Sequence, residues 1–412
     1  MTDPSVPVPP APAAAPMPVA APAHPPVPLL QTPLHAAHVA AGATMVPFAG
    51  WSMPVKYTSD VAEHVAVRTT AGLFDISHMA QIAVVGPDAA AFLDHALAGR
   101  LSALAPLQSR YTMMLTPSGG IVDDLIVTNT HTTAPEGAPT DFLVVANAAN
   151  AGPVVAALTE RITTAQGTFD VTVADTGRAL VAVQGPRAQA ILGDLEAAGR
   201  LALDASAGVD LATLRYYRTA PGTFDGGAVT LSRTGYTGED GFEISIAPER
   251  ATALWKALLA VGQPHGLVLA GLASRDTLRL EAGMPLYGHE LTLDTLPAQA
   301  GLGRVVVTAK ESFVGREATL AGPTADAPVL VGLALPGRRA GRAGYAVVTP
   351  DGEPAGTVTS GVLSPTLGHP IAMAYVAPHL AAIGTALAVD VRGTAITGEV
   401  VALPFYRRSE ES

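Results

Sequence analysis

Cysteine is absent from this chain of 412 residues, and charged residues are scarce at 14%. The lack of cysteine excludes disulfides, a thiolate nucleophile, and zinc or iron–sulfur centres held by cysteine. Acidic residues outnumber basic ones, giving a formal net charge of -11, so there is no basic excess to bind nucleic acid. No unbroken apolar run reaches the roughly 18 residues that a membrane span requires. We therefore expect a soluble, cytoplasmic protein.

Apolar residues are abundant: 49% of the chain is hydrophobic and the mean hydropathy is +0.33. This is enough for more than one buried core, so two or three domains are expected. The first 30 residues differ from the rest, because they are mostly Pro, Ala and Val and carry a single charge, at Asp3. Such a composition can form neither a core nor regular hydrogen bonding. We predict a disordered tail over residues 1–30, and it lacks the basic start of a signal peptide.

The stretch from Gly119 to Val127 places two adjacent aspartates inside a β-branched apolar run. In a strand, successive side chains point to opposite faces, so one carboxylate must face the core. The alternative is an edge strand with one aspartate in water and the other capping the Gly119-Gly120 turn. The alternation places on one face Ile121, Asp123, Leu125 and Val127, and on the other Val122, Asp124 and Ile126.

Two segments repeat the same order of strand, Gly-Pro turn and helix. The first runs over residues 82–93 and the second over residues 180–192. Glycine ends each strand, and proline opens the helix at its first turn. The repeat predicts two related α+β modules, although the pattern is common enough to arise by coincidence. Residues 124–130 and 141–146 are expected to be partner strands, with residues 131–140 as the hairpin loop between them.

A glycine-rich stretch over residues 232–246 is predicted to form a tight turn followed by a strand. It is not a phosphate loop, because no Lys-Ser or Lys-Thr pair follows and no helix follows. The strand directs Phe242, Ile244 and Ile246 to the core, so Glu243 and Ser245 point the other way. Simple solvent exposure is the alternative explanation for Glu243.

Residues 271–283 are predicted to form a helix that stops at Gly283. Arg275 and Arg279 share one face of it, and Asp276 is placed to pair with Arg279; an ion-paired surface helix would explain this pattern. His289 follows in the next turn but has no second histidine at metal-ligand spacing, so no metal site is predicted.

Seven blocks together resemble the glycine cleavage system T-protein, the tetrahydrofolate-dependent aminomethyltransferase. The resemblance covers nearly the whole chain after the tail, and seven ordered blocks are far more specific than one motif. The blocks are residues 32–34, 48–54, 72–79, 119–127, 233–243, 271–288 and 360–368.

The resemblance implies an α+β, three-domain, cloverleaf-like fold. The expected parts are two interleaved α+β modules over residues 31–288, which bind folate, and a β-rich C-terminal domain over residues 289–412, of barrel or jelly-roll type. In that last domain the strand-like stretches are Val329–Leu335, Thr357–Thr359 and Ile371–Val376. A monomer is expected.

The resemblance also implies roles for two carboxylates. Asp124 matches the family's catalytic aspartate, and the role of its neighbour Asp123 stays open. Glu243 matches the glutamate that binds the pterin ring, whose N–H groups suit a bidentate carboxylate.

Five further residues match positions of the family's folate pocket. Arg275 corresponds to an arginine that contacts folate, and Tyr111 and Asn147 to residues beside the catalytic strand. Tyr236 lies in the pocket turn, and Tyr406 is expected to close the site from the C-terminus. The chain departs from the family at Met284-Pro285, where an aromatic residue sometimes stands.

The implied reaction moves an aminomethyl group from the lipoyl arm of H-protein to tetrahydrofolate and releases ammonia, with no metal or redox cofactor. Two other folate-based functions stay open: a methyl or demethylating transferase on the same scaffold, and a non-catalytic folate-binding protein that serves iron–sulfur assembly. The latter group carries a cysteine motif that this chain lacks. A purely structural role is disfavoured by the paired aspartates.

Overall fold

The computed structural model describes residues 28–133, 137–164 and 167–408. Within these residues the strands are β1 (Leu30–Gln31), β2 (Thr44–Phe48), β3 (Trp51–Lys56), β4 (Ala71–Asp75), β5 (Ala80–Val85), β6 (Ser109–Leu115), β7 (Ile121–Asn129), β8 (Asp141–Ala146), β9 (Thr163–Thr164), β10 (Gly167–Thr168), β11 (Thr172–Asp175), β12 (Ala179–Gln184), β13 (Leu201–Leu203), β14 (Thr219–Phe224), β15 (Gly227–Ser232), β16 (Gly241–Ile246), β17 (Leu267–Leu269), β18 (Val329–Ala334), β19 (Ala346–Val348), β20 (Pro354–Leu363), β21 (Pro370–Val376), β22 (Ala386–Asp390) and β23 (Ala395–Val401). The α-helices are α1 (His35–Ala40), α2 (Asp60–Thr69), α3 (Ala89–Ala96), α4 (Ala151–Arg161), α5 (Ala188–Ala197), α6 (Pro248–Gly262), α7 (Leu272–Glu281) and α8 (Arg316–Ala321).

Most of the expected tail lies outside the described residues. The last residue assigned to it, Leu30, belongs instead to β1, which pairs in parallel with Trp51 and Ser52 of β3. The first strand of the described residues therefore begins one residue before the expected boundary.

The first module is a five-stranded antiparallel sheet in the order β11-β5-β8-β7-β6. Helices α3 and α4 bury Phe92 and Leu158 against the sheet residues Leu125, Val127 and Val144. The expected pairing of β7 with β8 is confirmed. β8 pairs with the later part of β7, Ile126–Asn129, and Asp123 before it is fully buried, so the edge-strand alternative for the paired aspartates is wrong.

The turn before β7 is closed by a threonine and not by an aspartate. Thr116 Oγ1 accepts a hydrogen bond from the Gly120 amide at 3.0 Å. The second glycine is required by close packing, since a Cβ on Gly120 would lie 1.7 Å from the carbonyl oxygen of Leu293.

The second module is a seven-stranded sheet in the order β13-β14-β15-β16-β12-β4-β17. Helices α5 and α6 cover it with Ile191, Leu254 and Trp255. The predicted repeat of strand, turn and helix is confirmed: β5 leads into α3, and β12 leads into α5. In both copies the proline lies in the turn, and the helix begins two residues after it.

The C-terminal part is a closed six-stranded barrel in the order β18-β21-β20-β19-β22-β23. It begins at Val329, whereas the chain just after Gly288 packs on the first module. There Leu291, Val306 and Phe313 join a cluster with Leu115 and Ile121. The expected strand over Thr357–Thr359 is longer, running as β20 from Pro354 to Leu363.

Helix α7 lies where the modules and the barrel meet. Its Arg279 is only 1% exposed and donates to Glu290 at 3.0 Å and to Ser360 of β20 at 2.8 Å. Arg279 also pairs with Asp276 as expected, but the surface-helix explanation is wrong because the barrel covers this side of α7. No helix within the described ranges is long and apolar enough to cross a membrane.

Candidate active site

A cavity of about 280 Å³ lies between the two modules, and α7 and the turn after it close one side. Six of the seven predicted site residues line it, and they come from strands of both sheets, from two connecting segments and from α7. They are Tyr111, Asp124, Asn147, Tyr236, Glu243 and Arg275.

Asp124 projects from β7 into this cavity. Its carboxylate accepts hydrogen bonds from the Tyr111 hydroxyl at 3.0 Å and from Asn147 Nδ2 at 2.8 Å. Burial raises the pKa of Asp124, while the hydrogen bonds from Tyr111 and Asn147 act in the opposite direction. The site therefore holds a carboxylate with little access to bulk water and two fixed donors.

Asp123 points to the opposite face of β7 and has no exposed surface. It accepts hydrogen bonds from the Asn147 amide N–H at 3.0 Å, from Asn147 Nδ2 at 2.8 Å and from Asn150 Nδ2 at 2.7 Å. Burial raises its pKa to about 7; the charge of Asp124 adds to this rise, and the hydrogen bonds from Asn150 and Asn147 limit it. The aspartate that faces the core is thus Asp123, and Asp124 faces the cavity.

Glu243 reaches the cavity from the second module. Its neighbours Phe242 and Ile244 are fully buried in the core, as the alternation predicts. The carboxylate accepts a hydrogen bond from the Thr234 hydroxyl in the glycine-rich turn. Simple solvent exposure does not describe it, since it lines a cavity. Ser245, on the same side of the strand, is buried and donates to Gln81 Oε1 at 2.6 Å.

Arg275 and Tyr236 form one wall together. The guanidinium carbon of Arg275 lies 5.0 Å from the centre of the Tyr236 ring, and the Tyr236 hydroxyl donates to the carbonyl oxygen of Pro285. One terminal nitrogen of Arg275, Nη1, is buried without a hydrogen-bond partner among the described residues. Such an unpartnered donor fits an oxygen of a bound ligand.

Tyr406, the seventh predicted site residue, is not among the residues that line the cavity. Its ring centre lies 4.0 Å from the guanidinium carbon of Arg68, and its backbone N–H donates to the carbonyl oxygen of Glu281 at 2.8 Å. The aromatic ring is attracted to the buried cation, so Tyr406 is held behind α7.

Several cavity residues were not predicted from the sequence. Tyr217, Thr234 and Tyr287 line the cavity, and Asn150 supports it from behind. The alternation within strands gives no signal for them, because they lie in turns or loops. Met284 and Pro285, where the chain departs from the family pattern, also line the wall.

A second cavity of about 390 Å³ adjoins the first and shares six lining residues with it: Met79, Asn147, Tyr236, Arg275, Leu286 and Tyr287. His78 lines it, and burial lowers the pKa of this histidine to about 4, so the ring is neutral at pH 7. In the part of the chain that the structure describes, no group of three or more His, Asp or Glu residues could hold a metal ion.

Known families and proteins match this chain over most of its length. Residues 34–310 match the GCVT N-terminal domain, and residues 329–407 match the glycine cleavage T-protein C-terminal barrel domain. An aminomethyltransferase of Cutibacterium acnes is 54% identical over 385 residues, covering 92% of this chain and 99% of the relative. One of Streptomyces coelicolor is 52% identical over 390 residues, covering 93% and 99%.

A solved structure agrees with these relatives. The crystal structure of glycine cleavage system aminomethyltransferase T from Bartonella henselae superimposes with a TM-score of 0.80 at 38% identity, covering 92% of this chain and 98% of the other. Both family domains are present in this chain, the N-terminal domain followed by the C-terminal barrel domain. The chain therefore belongs to the glycine cleavage T-protein family.

Proposed function

We propose that this protein is the aminomethyltransferase of the glycine cleavage system. It takes the aminomethyl group from the lipoyl arm of H-protein and passes the carbon to tetrahydrofolate, releasing ammonia and leaving methylene-tetrahydrofolate and the reduced lipoyl arm. The observation that carries the proposal is the single cavity that combines Asp124, Glu243 and Arg275 in a member of this family.

The polar groups of the cavity suit the pterin ring of a folate. Glu243 offers two carboxylate oxygens to a ring N–H and the neighbouring amino group, a bidentate pattern. Arg275 offers to a folate oxygen its Nη1, which has no hydrogen-bond partner in the described part of the chain. Tyr111, Tyr217 and Tyr236 add aromatic surface for a flat heterocycle.

The transfer forms two bonds between the aminomethyl carbon and folate nitrogens. The bonds from this carbon to the lipoyl sulfur and to the amine nitrogen are broken. Positive charge develops on the carbon and nitrogen as the amine departs, and the Asp124 carboxylate is placed to stabilise that charge and to orient the folate. The Tyr111 and Asn147 donors keep this carboxylate fixed. Asp124 needs little basicity for this role, because the folate nitrogens are neutral nucleophiles.

A turnover assay with aminomethyl-lipoyl H-protein and tetrahydrofolate tests the proposal. We expect ammonia release that requires both substrates, with unlipoylated H-protein as the control. Equal ammonia release without folate would contradict the transfer, and formation of a methylated product from another donor would favour a different one-carbon transferase.

We also propose that a monomer is sufficient for activity. Size-exclusion chromatography coupled to light scattering tests this, and activity restricted to a dimer fraction would contradict it. The cytoplasmic location stays a prediction from composition.

A further inference from the structure

Asp123 is a buried carboxylate to which the transfer reaction assigns no task. It has no exposed surface, and it lies opposite Met114 of β6 within the apolar core of the first module. Among the described residues no Lys or Arg forms an ion pair with it. A buried carboxylate is costly unless other groups compensate for the lost water.

The compensating groups all come from one short segment that follows β8. Three N–H groups surround Asp123: the backbone amide of Asn147, its side-chain amide, and the side-chain amide of Asn150. Asn150 is tied to the same segment, because its backbone N–H donates to the Asn147 carbonyl at 2.9 Å. Asp123 thus fixes both the backbone and the side chain of Asn147.

The side-chain amide of Asn147 lies between the two aspartates. Its nitrogen is 2.8 Å from Asp123 Oδ1 and 2.8 Å from Asp124 Oδ1. An amide nitrogen carries two hydrogens, so one can be donated to each carboxylate. The other oxygen of Asp124 accepts from the Tyr111 hydroxyl. The orientation of Asp124 therefore depends on the rotamer of Asn147, and Asp123 sets that rotamer.

We propose that Asp123 is a positioning residue for the transfer reaction, acting through Asn147 to hold the Asp124 carboxylate in place in the cavity. This inference rests on the proposed function, because it assigns Asp124 to the reaction. Without an acceptor at position 123 the Asn147 amide is free to rotate, and Asp124 loses one of its two donors.

Two variants separate positioning from the charge of Asp123. Asp123→Asn removes the charge but keeps an oxygen that accepts from the Asn147 and Asn150 side chains; its NH2 group replaces the oxygen that accepted from the Asn147 backbone N–H, so that bond is lost and two donors face each other. Asp123→Val removes the charge and every acceptor while remaining a good strand former. Because neither variant is charged, any difference between them at Asp124 reports the hydrogen bonds.

The experiment compares the full-length variants by kcat, by KM for folate, and by carbon-13 NMR titration of labelled aspartate carboxyls. The Asp124 signal is assigned by its loss in Asp124→Asn. We expect kcat of Asp123→Val to be lower than that of Asp123→Asn by about tenfold, with KM within about threefold, since one hydrogen bond to a charged group is lost. The midpoint of the Asp124 titration should lie about one pH unit higher in Asp123→Val than in Asp123→Asn.

Equal kcat and equal Asp124 midpoints in the two variants, whatever their stabilities, would overturn the inference. The other ionisable or charged side chains that line the cavity with Asp124 are present in both variants, so their effects cancel in the comparison; they are Tyr111, Tyr217, Tyr236, Tyr287, Glu243 and Arg275.

If Asp123→Val does not fold, Asn147→Ala breaks the same link from the other side. It should raise the Asp124 midpoint relative to wild type, and an unchanged midpoint would refute the link. The NMR titration requires no turnover. A wild-type chain that fails to release ammonia with both substrates would therefore count against the proposed function, while the titration still decides the positioning.

Discussion

Replacing Glu281 by Gln should destabilise the fold by an amount that depends on pH. Glu281 ends α7, and its side chain is completely buried. It accepts from Arg68 at 2.8 Å and from the Thr366 hydroxyl at 2.8 Å, and it lies 3.2 Å from His64 Nε2. The carboxylate thus joins α2, α7 and the loop after β20.

The size of the effect follows from the surroundings of the carboxylate. Burial alone would raise the pKa of Glu281, but His64, Ser364 and Arg68 lower it from 4.5 to about 2. A difference of this size corresponds to about 3 kcal/mol in favour of the anion. Breaking a buried pair at one partner typically costs about 3–5 kcal/mol. Because Gln retains some neutral hydrogen bonds, we expect a loss of about 2–4 kcal/mol at pH 7.

The sign of the pH dependence is fixed by the lowered pKa. The stabilisation by Glu281 is fully present above about pH 4.5 and is lost as the pH falls towards 2. The difference in free energy of unfolding between wild type and Glu281→Gln, measured with urea, should therefore shrink by about 1 kcal/mol as the pH falls from 6 to 3.5. Glu160→Gln, at an exposed position on α4, serves as the control and should change little. Equal stability at pH 7, or a gap that does not vary with pH, would refute the reasoning.

Three further predictions concern the cavity and the tail. Tyr111→Phe removes a donor that lowers the pKa of Asp124, so that pKa rises and the acidic limb of the rate profile should move up by about half to one pH unit; an unmoved limb would contradict this. Glu243→Ala should weaken folate binding about ten- to hundredfold in calorimetry with little change in stability, and unaltered affinity would return Glu243 to a passive role. A chain that lacks residues 1–27 should keep the melting temperature and turnover of the full chain, and a marked loss of either would place the tail in the fold or in H-protein docking.

Local periodicity predicted much of what positions the site. The alternation within β7 correctly placed Asp123 and Asp124 on opposite faces, because the side-chain period of a strand is two and the neighbours are apolar. The same reasoning correctly assigned Phe242 and Ile244 to the core. The repeat of strand, turn and helix was also visible in the sequence. Gly86 and Gly185 adopt positive φ at equivalent turns, a conformation that favours glycine, so both copies carry a glycine there.

Contacts between distant parts of the chain could not be predicted in this way. Arg279 has the spacing of a surface ion pair, and its burial depends on contacts with Glu290 and with Ser360 in the barrel, which lie outside α7 in the sequence. Tyr406 was assigned to the site through the family resemblance, whereas its ring packs on the guanidinium group of Arg68 and is not among the cavity-lining residues. Asn150 was missed because it lies in a short 3-10 helix after β8 whereas its partner Asp123 lies on β7, and no local pattern links the two.

Separate roles for Asp124 and Glu243 within one cavity are tested most directly by single-turnover ammonia release. Wild type and Asp124→Asn are compared at saturating tetrahydrofolate with aminomethyl-lipoyl H-protein, and folate affinity is measured in parallel. We predict that Asp124→Asn lowers the rate at least about a hundredfold while the folate Kd stays within about threefold, because a preorganised charge-stabilising group is lost and the pterin contacts are kept. A rate close to that of wild type, or a loss that more folate restores, would contradict the assignment of Asp124 to the transfer step.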